Sequence, residues 1–486
     1  MVRDLDSPGR NLRAGSPRLK IRRNYYGSGD RAHMVNSDRA VTPLASHTKI
    51  LTPLSRQWKH QLFWAQSARP RWLIVVDMKV RILRGASEIG GSCVEVESSG
   101  ERLLIDAGMP LDMPAEALPN VPLFAEESLR AVLISHPHLD HYGLLPWMPP
   151  VPVVMGAAGR RILRAAAPFM RQRARIPDGP DFIHRRPIQI GPFSIIPFIV
   201  DHSAYDAYAL LVEADGKRLF YSGDLRTHGR KRRLVERLIE SPPKDIDVLM
   251  LEGTSLGRTA RGLRLLSECD LVGEFVHAFA ETDGLALVQT SAQNIDRMVT
   301  VYRACQKANR TLVLDLYAAQ ILEATGNSRV PQSHWDGIAV AIPHQQRLQI
   351  KRNGWFEALA RHSRHRIYLR THLARTPSNY VLMFRPIWMA ELERAGCLDG
   401  SSLIHSQWPG YLERPAFAEV DAWRQRNGMD FHQIHTSGHA SPRDLQRFAV
   451  ALNPEVLVPI HTARPKEFHE LYSRVKCHAD GEWWAV

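Results

Sequence analysis

Apolar and polar positions alternate along "KVRILRG", Lys79–Gly85, the period of a strand with one buried face. "SCVEVESSGERLLIDAG" follows as a hairpin closed by Ser98-Ser99-Gly100, and "RAVLIS" is a short apolar run. Helical spacing takes over between Ala157 and Arg173. Strand patterns return in "FSIIPFIVD", "YALLVEA", "RLFYSGD" and "DVLMLEG". This interleaving predicts an α/β layered domain over residues 78–262.

The rhythm changes after residue 262. "LALVQTSAQNIDRMVTVYRACQKANRTLVLDLYAAQILEA" reads strand, helix, strand, helix. Ile295, Val299 and Tyr302 recur at helical spacing, and "TLVLDL" has the unbroken apolar character of a buried parallel strand. "HRIYLR" and "YVLMFRP" read as further strands of a second α/β domain over 263–428. The first pattern returns over 429–486, beginning at "DFHQIHTSGHAS". There Ser441 is placed to cap a helix with Pro442 in its first turn. Leu445, Phe448, Ala449 and Leu452 line one face of that helix, and "EVLVPI" is another buried strand.

Residues 1–77 carry no such period. They hold fourteen Lys/Arg against five Asp/Glu, so +9 of the chain's +13 lies in this segment. Rich in Ser, Gly, Pro and Arg, it reads as a disordered basic extension. Three readings stay open: a nucleic-acid-binding tail, a targeting peptide, or sequence upstream of the native start. Met78, immediately before the first strand, favours the last. The total charge therefore says little about partners. At 44% hydrophobic and 23% charged, the 486 residues suit a soluble globular protein of two or three domains. No apolar run approaches the 18 residues or so that a membrane span needs. The five scattered cysteines argue against a disulfide framework and for a reducing, cytoplasmic setting.

The candidate chemistry centres on "SHPHLDHYG", Ser135–Gly143. The apolar run Val132–Ile134 delivers His136 and His138 at a strand end, spaced to aim at one ion from a tight turn. Asp140 and His141 can address a second ion nearby. Imidazole and carboxylate together suit zinc or a similar divalent metal.

This HxHxDH pattern resembles the second motif of the metallo-β-lactamase fold, and the other motifs follow in order. "LLIDAG" supplies Asp106, "FIVDHSAYDAYAL" supplies His202, and "LFYSGDLR" supplies Asp224. Past them, "DVLMLEGTSLGR" places Glu252 where the β-CASP branch has its acidic motif A. "HTSGHAS" places His439 at motif B, and "VLVPIHTARP" places His461 at motif C. "GASEIGGSC" (85–93) and "SAQNIDRMVTVYRACQKANRTLVLD" are similar to the opening loop and the inserted domain of that branch. The chain from 78 to 486 resembles the ribonuclease J-like members most.

The resemblance implies an αββα sandwich with an inserted β-CASP domain, and a ribonuclease acting through two divalent ions. These are zinc, with manganese as the alternative. One ion would take His136, His138 and His202, the other Asp140, His141 and His461, with Asp224 bridging. Asp106 would orient the site, His439 would contact or protonate the scissile phosphate, and Glu252 would orient His439. His at motif C accompanies RNA-directed members of the branch, which makes RNA the implied substrate and DNA the alternative. In "LRTHGRKRRLVERL", Arg226, Arg230 and Lys231 are expected at the rim of the site as phosphate contacts. "HQQRLQIKRNGWFEALARHSRHR" mixes basic residues with Trp355 and Phe356, a composition that can bind single strands.

Two features depart from ribonuclease J. Only 25 residues follow His461, so its additional C-terminal domain is expected to be absent. In the family that domain supports assembly, which leaves a homo-oligomer open. "IHSQWPGYLE" (404–413) replaces the usual phosphate-contacting segment, with Ser406 and Gly410 as candidate substitutes. These departures weigh against 5′-exonucleolytic cutting more than against hydrolysis as such; endonucleolytic cutting is the alternative mode. A thioester or lactam hydrolase is a further rival, although it needs neither the insertion nor Glu252 and His439. A non-catalytic relative would have lost metal ligands, and here every ligand position is filled.

Overall fold

The alternation that begins at Lys79 becomes a three-stranded antiparallel meander. Its strands are β1 (Lys79–Arg84), β2 (Cys93–Ser98) and β3 (Glu101–Ile105). Ser99 and Gly100 close the expected β2–β3 turn, both at positive φ (53° and 78°), the turn that matches strand twist. β4 (Leu129–Leu133), β5 (Val153–Gly156) and β6 (Asp181–Phe182) then add in parallel. The computed structural model describes residues 77–111, 127–170, 176–259 and 265–486, all within one unit, Leu73–Val486. The basic extension expected over 1–77 lies outside these residues, apart from Asp77.

A second sheet starts with β7 (Ile188–Ile190), β8 (Phe193–Val200), β9 (Ala207–Ala214) and β10 (Lys217–Tyr221), all antiparallel. β11 (Val248–Glu252) joins parallel to β10. The third sheet is wholly parallel and comprises β12 (Ala286–Gln289), β13 (Thr311–Leu314), β14 (Ile338–Val340), β15 (Tyr380–Phe384), β16 (Ser402–His405) and β17 (Asp430–Gln433). Its order is β14-β13-β15-β12-β16-β17. The chain then returns, adding β18 (Val456–Ile460) beside β11 and β19 (Trp483–Ala485) beside β1.

The first two sheets pack face to face. Val80, Val94, Leu103 and Leu133 of one share a buried cluster with Ile195, Leu210, Leu219 and Met250 of the other. Outside the second sheet, helices Arg233–Glu240 and Pro442–Leu452 bury Val235, Leu238, Leu445 and Phe448. Outside the first, helix Ala157–Ala166 buries Leu163 against Leu104, Val132 and Met155. The fold is therefore an αββα sandwich carrying a further three-layer α/β unit, whose sheet has buried clusters on both faces as parallel sheets require. Among the described residues no helix is long and apolar enough to cross a membrane.

Three expectations change. The helix from Ala157 stops at Ala166, where Ala167–Phe169 tightens into a 3-10 turn around Pro168, which has no N–H to continue the ladder. Residues 171–173 of that expected helix lie outside the described residues. "HRIYLR" is no strand: Arg366 makes a single bridge to Val340, and Leu369–Leu373 winds into a π-helical turn. "DFHQ" pairs with β16, so the third sheet runs to Gln433 before the chain turns back to the sandwich. The helix start at 441 is as expected, with Ser441 Oγ accepting the Asp444 N–H at 3.2 Å.

Candidate metal centre

The titratable residues gather where six strands end at one rim of the sandwich. Asp106 follows β3, His136 to His141 follow β4, His202 follows β8, Asp224 follows β10, Glu252 ends β11 and His461 follows β18. His439 arrives on the segment leading back from the third sheet. Gly108 lets two of these loops close on each other: a Cβ there would stand 1.9 Å from the Asp140 carbonyl oxygen. Asp106, at φ 59° and fully buried, takes a left-handed turn that aims its carboxylate inward. It accepts from Ser135 N (2.7 Å), Ser135 Oγ (2.8 Å) and Tyr221 OH (2.8 Å), and lies 2.7 Å from His141 Nδ1. With Nδ1 held, His141 presents Nε2 to the cluster, as a metal-binding imidazole does.

Ligand atoms of His136, His138 and His202 lie within 4.8 Å of one another, and so do those of Asp140, His141 and His461. Asp224 stands between the two groups, 3.6 Å from His136, 3.3 Å from His141, 3.8 Å from His202 and 3.8 Å from His461. Burial, with neighbouring imidazoles adding to it, holds His136 and His202 well below the usual histidine range. Burial pulls His138 down to about 4. All three are neutral and keep a lone pair for an ion. Burial alone would raise Asp140 and Asp224, but the surrounding histidines outweigh it and keep both ionised. His136 Nε2, His141 Nε2 and Asp224 Oδ1 are buried without a hydrogen-bond partner. Orphaned polar atoms converging on one spot are costly unless something binds them. The donor set thus fits two divalent ions of borderline softness.

His439 stands beside this cluster and is one-fifth exposed. Its Nδ1 lies 3.3 Å from Glu252 Oε1, and Glu252 is held in turn by the Thr254 N–H at 3.0 Å. Burial lowers the affinity of His439 for a proton, but Glu252 and Asp224 outweigh it and raise its pKa to about 9.

A model of the metallo-beta-lactamase superfamily matches residues 87–251. The chain is 23% identical to ribonuclease J of Helicobacter pylori over 415 residues, covering 79% of this chain and 56% of that one. It is 25% identical to ribonuclease J of Mycobacterium tuberculosis over 421 residues, 79% of this chain and 68% of that one. It is 23% identical to the probable RNase MJ4 of Methanocaldococcus jannaschii over 406 residues, 78% of this chain and 92% of that one. This domain match and these relatives support a ribonuclease J-like metallo-β-lactamase/β-CASP family for the chain. A solved structure of a protein of unknown function from Enterococcus faecalis shares the fold, with a TM-score of 0.67 and 22% identity, over 84% of this chain and 100% of that one. The chain spans just over half the length of the Helicobacter relative.

Within this family frame, the expected phosphate contacts are corrected. Arg226 is fully buried, not at the rim. It binds Asp296 at 2.6 Å and Asp201 and Glu268 at 3.4 Å each, because a guanidinium so close to the sandwich core needs carboxylates around it. Arg230 donates to Thr300 Oγ1 at 2.8 Å and to the Asp296 and Glu268 carbonyls. Lys231 places Nζ 5.2 Å from the Tyr205 ring centroid. Arg226 and Arg230 therefore tie the Asp224 loop to the third-sheet unit. Ser406 is buried too, donating to the Ile434 carbonyl at 2.6 Å and accepting from Arg297. Gly410 lies under the Trp408 indole, where a Cβ would come within 2.2 Å of the ring.

Several contributors escaped sequence reasoning. Thr254 Oγ1 lies 2.8 Å from His461 Nδ1, and Tyr221 and Ser135 fix Asp106. Glu268 joins Arg226 to Arg297, which it meets at 3.1 Å, and these arginines overcome its burial to hold its pKa at about 2. Glu268→Ala would leave Arg297 buried without a carboxylate. It is expected to cost about 3–5 kcal/mol, read as a lower urea midpoint.

Proposed function

We propose that the chain hydrolyses RNA phosphodiester bonds at a two-ion centre, with zinc as the native metal and manganese as the alternative. The observation that carries this reading is the Glu252–His439 pair set beside the ligand cluster, 3.3 Å apart. A thioester or lactam hydrolase has no use for a second, carboxylate-backed imidazole. His136, His138 and His202 would hold one ion, and Asp140, His141 and His461 the other, with Asp224 shared. When bound, such ions supply hydroxide at neutral pH and offset charge building at phosphorus. Asp106 keeps His141 in the right tautomer. His439, its Nδ1 occupied by Glu252, is placed to give a proton to the departing oxygen. A histidine rather than an apolar residue at 461 and the ribonuclease names of the relatives support RNA over DNA. The third-sheet unit, 263–428 extended to Gln433, is read as the inserted β-CASP domain.

Trp408 is read as a platform for one base of the substrate. It is 43% exposed, its ring lies 5.0 Å from the Arg258 guanidinium, and Tyr411 meets it edge-on at 5.6 Å. Tyr411 is half-buried, and its phenol, raised by burial, also feels the charge of Asp140. Trp408→Ala is expected to raise KM for RNA roughly five- to 150-fold, the range of one lost base stack, with kcat changing little. Matched single-stranded RNA and DNA on one purified sample test the substrate. Faster cutting of RNA is expected; cutting of DNA alone would sink the reading.

A further inference from the structure

A cavity of about 430 Å³ opens in the third-sheet unit, away from the metal centre. Arg347, Arg366, Arg370 and Arg394 line it, together with Tyr368 and Glu391. Glu391 pairs with Arg347 at 2.9 Å. Among the described residues no carboxylate pairs with Arg366, Arg370 or Arg394, so the cavity keeps about three uncompensated charges. Tyr368 is 56% exposed and carries the Arg366 guanidinium 5.2 Å from its ring centroid. Leu369 and Arg370 of the wall open the π-helical turn Leu369–Leu373, a rare geometry enriched at functional sites.

Its place in the fold matters as much as its lining. Ile342 of the wall follows the carboxyl end of β14, and Glu391 and Arg394 follow that of β15. The segment bringing His439 to the metal centre leaves the carboxyl end of β17. All six strands are parallel, so both features lie along the carboxyl edge of one sheet, where α/β folds bind ligands. β14 and β17 are five strands apart, about 24 Å at the usual inter-strand spacing.

We propose that this arginine-lined cavity is a second binding site for the same single-stranded RNA, gripping phosphates and one base at a distance from the scissile bond. Arginine forks suit phosphate, and an exposed ring beside them suits a nucleobase, a combination that an acidic peptide does not need. The proposal rests on the RNA reading above. It also gives a role to the basic-aromatic stretch 344–366, whose Trp355 packs inward against Phe169 and so is not itself the platform.

The test compares the wild-type holoenzyme with Arg366→Ala/Arg370→Ala, Tyr368→Ala and Tyr368→Phe. Each acts on a dinucleotide and on a single strand of about 16 nucleotides, the upper site size of an OB-fold single-strand binder. On the dinucleotide, kcat/KM is expected to stay unchanged in every variant. On the longer strand, Tyr368→Ala is expected to raise KM at least fivefold, the effect of one lost stack, and Tyr368→Phe to restore it. The double arginine variant should lower the slope of log KM against log salt by about 1.4, for two phosphate contacts on a single strand. Equal losses on both substrates, or none on either, would overturn the inference. So would polyglutamate competing with the longer strand as well as polyuridylate does. A wild-type protein that cuts no RNA defeats the reading beneath the proposal, a result visible before any variant is made.

Discussion

Asp224→Asn is expected to abolish RNA hydrolysis, by at least about 10³-fold, while leaving a folded protein. The substitution keeps the size of the side chain and removes its charge. That charge faces both ligand groups: Asp224 lies within 3.8 Å of His136, His141, His202, His439 and His461. Without it, the cluster would lose the carboxylate proposed to be shared between the two ions. Its Oδ1 is also one of the buried atoms without a partner, so little of its setting serves fold stability alone. Circular dichroism and metal content measured with the activity separate loss of the ions from loss of the fold. A variant that keeps two ions and hydrolyses RNA at a tenth of the wild-type rate or better would show that Asp224 is not shared.

The second large effect is expected at His439. His439→Ala should lower kcat on RNA by about 10² to 10⁴, the range for a lost general acid. On a p-nitrophenyl phosphodiester, whose leaving group departs without a proton, most of that loss should vanish. Glu252→Gln should move kcat in the same direction, because the 3.3 Å contact with Oε1 is what holds Nδ1. The double variant should add little to His439→Ala, since the two residues act as a unit. An equal loss on both substrates would assign His439 to binding or folding instead.

Strand ends were the most legible part of this molecule. An apolar run followed at once by His or Asp marks both a buried strand and a loop that can carry chemistry. All the proposed ligands, with Asp106 and Glu252, stand in such contexts. Hairpin chemistry at Ser99-Gly100 and the Ser441 cap were legible because each is set by two or three adjacent residues. The basic run after Asp224 misled because charge density alone cannot tell a rim from a core. Its partners Asp201, Glu268 and Asp296 lie 25 to 70 residues away from Arg226 in sequence, and only the fold brings them together. "HRIYLR" misled for a related reason: its pattern suits a strand, but packing beyond β14 admits only one bridge and then a π-helical turn. Trp408 carried no periodic signal, and its position depends on Gly410 leaving room for the indole.

The central claim is that RNA hydrolysis depends on two ions held by this histidine–aspartate cluster. The most direct measurement follows RNA cleavage while divalent metal is removed by chelation and returned in known amounts, with metal per chain determined at each step. Activity should disappear with the metal, and return in full only as occupancy approaches about two ions per chain. The Asp140→Asn/His141→Ala variant should stay inactive at every metal level. Full cleavage by metal-free protein, or by that variant, would contradict the account.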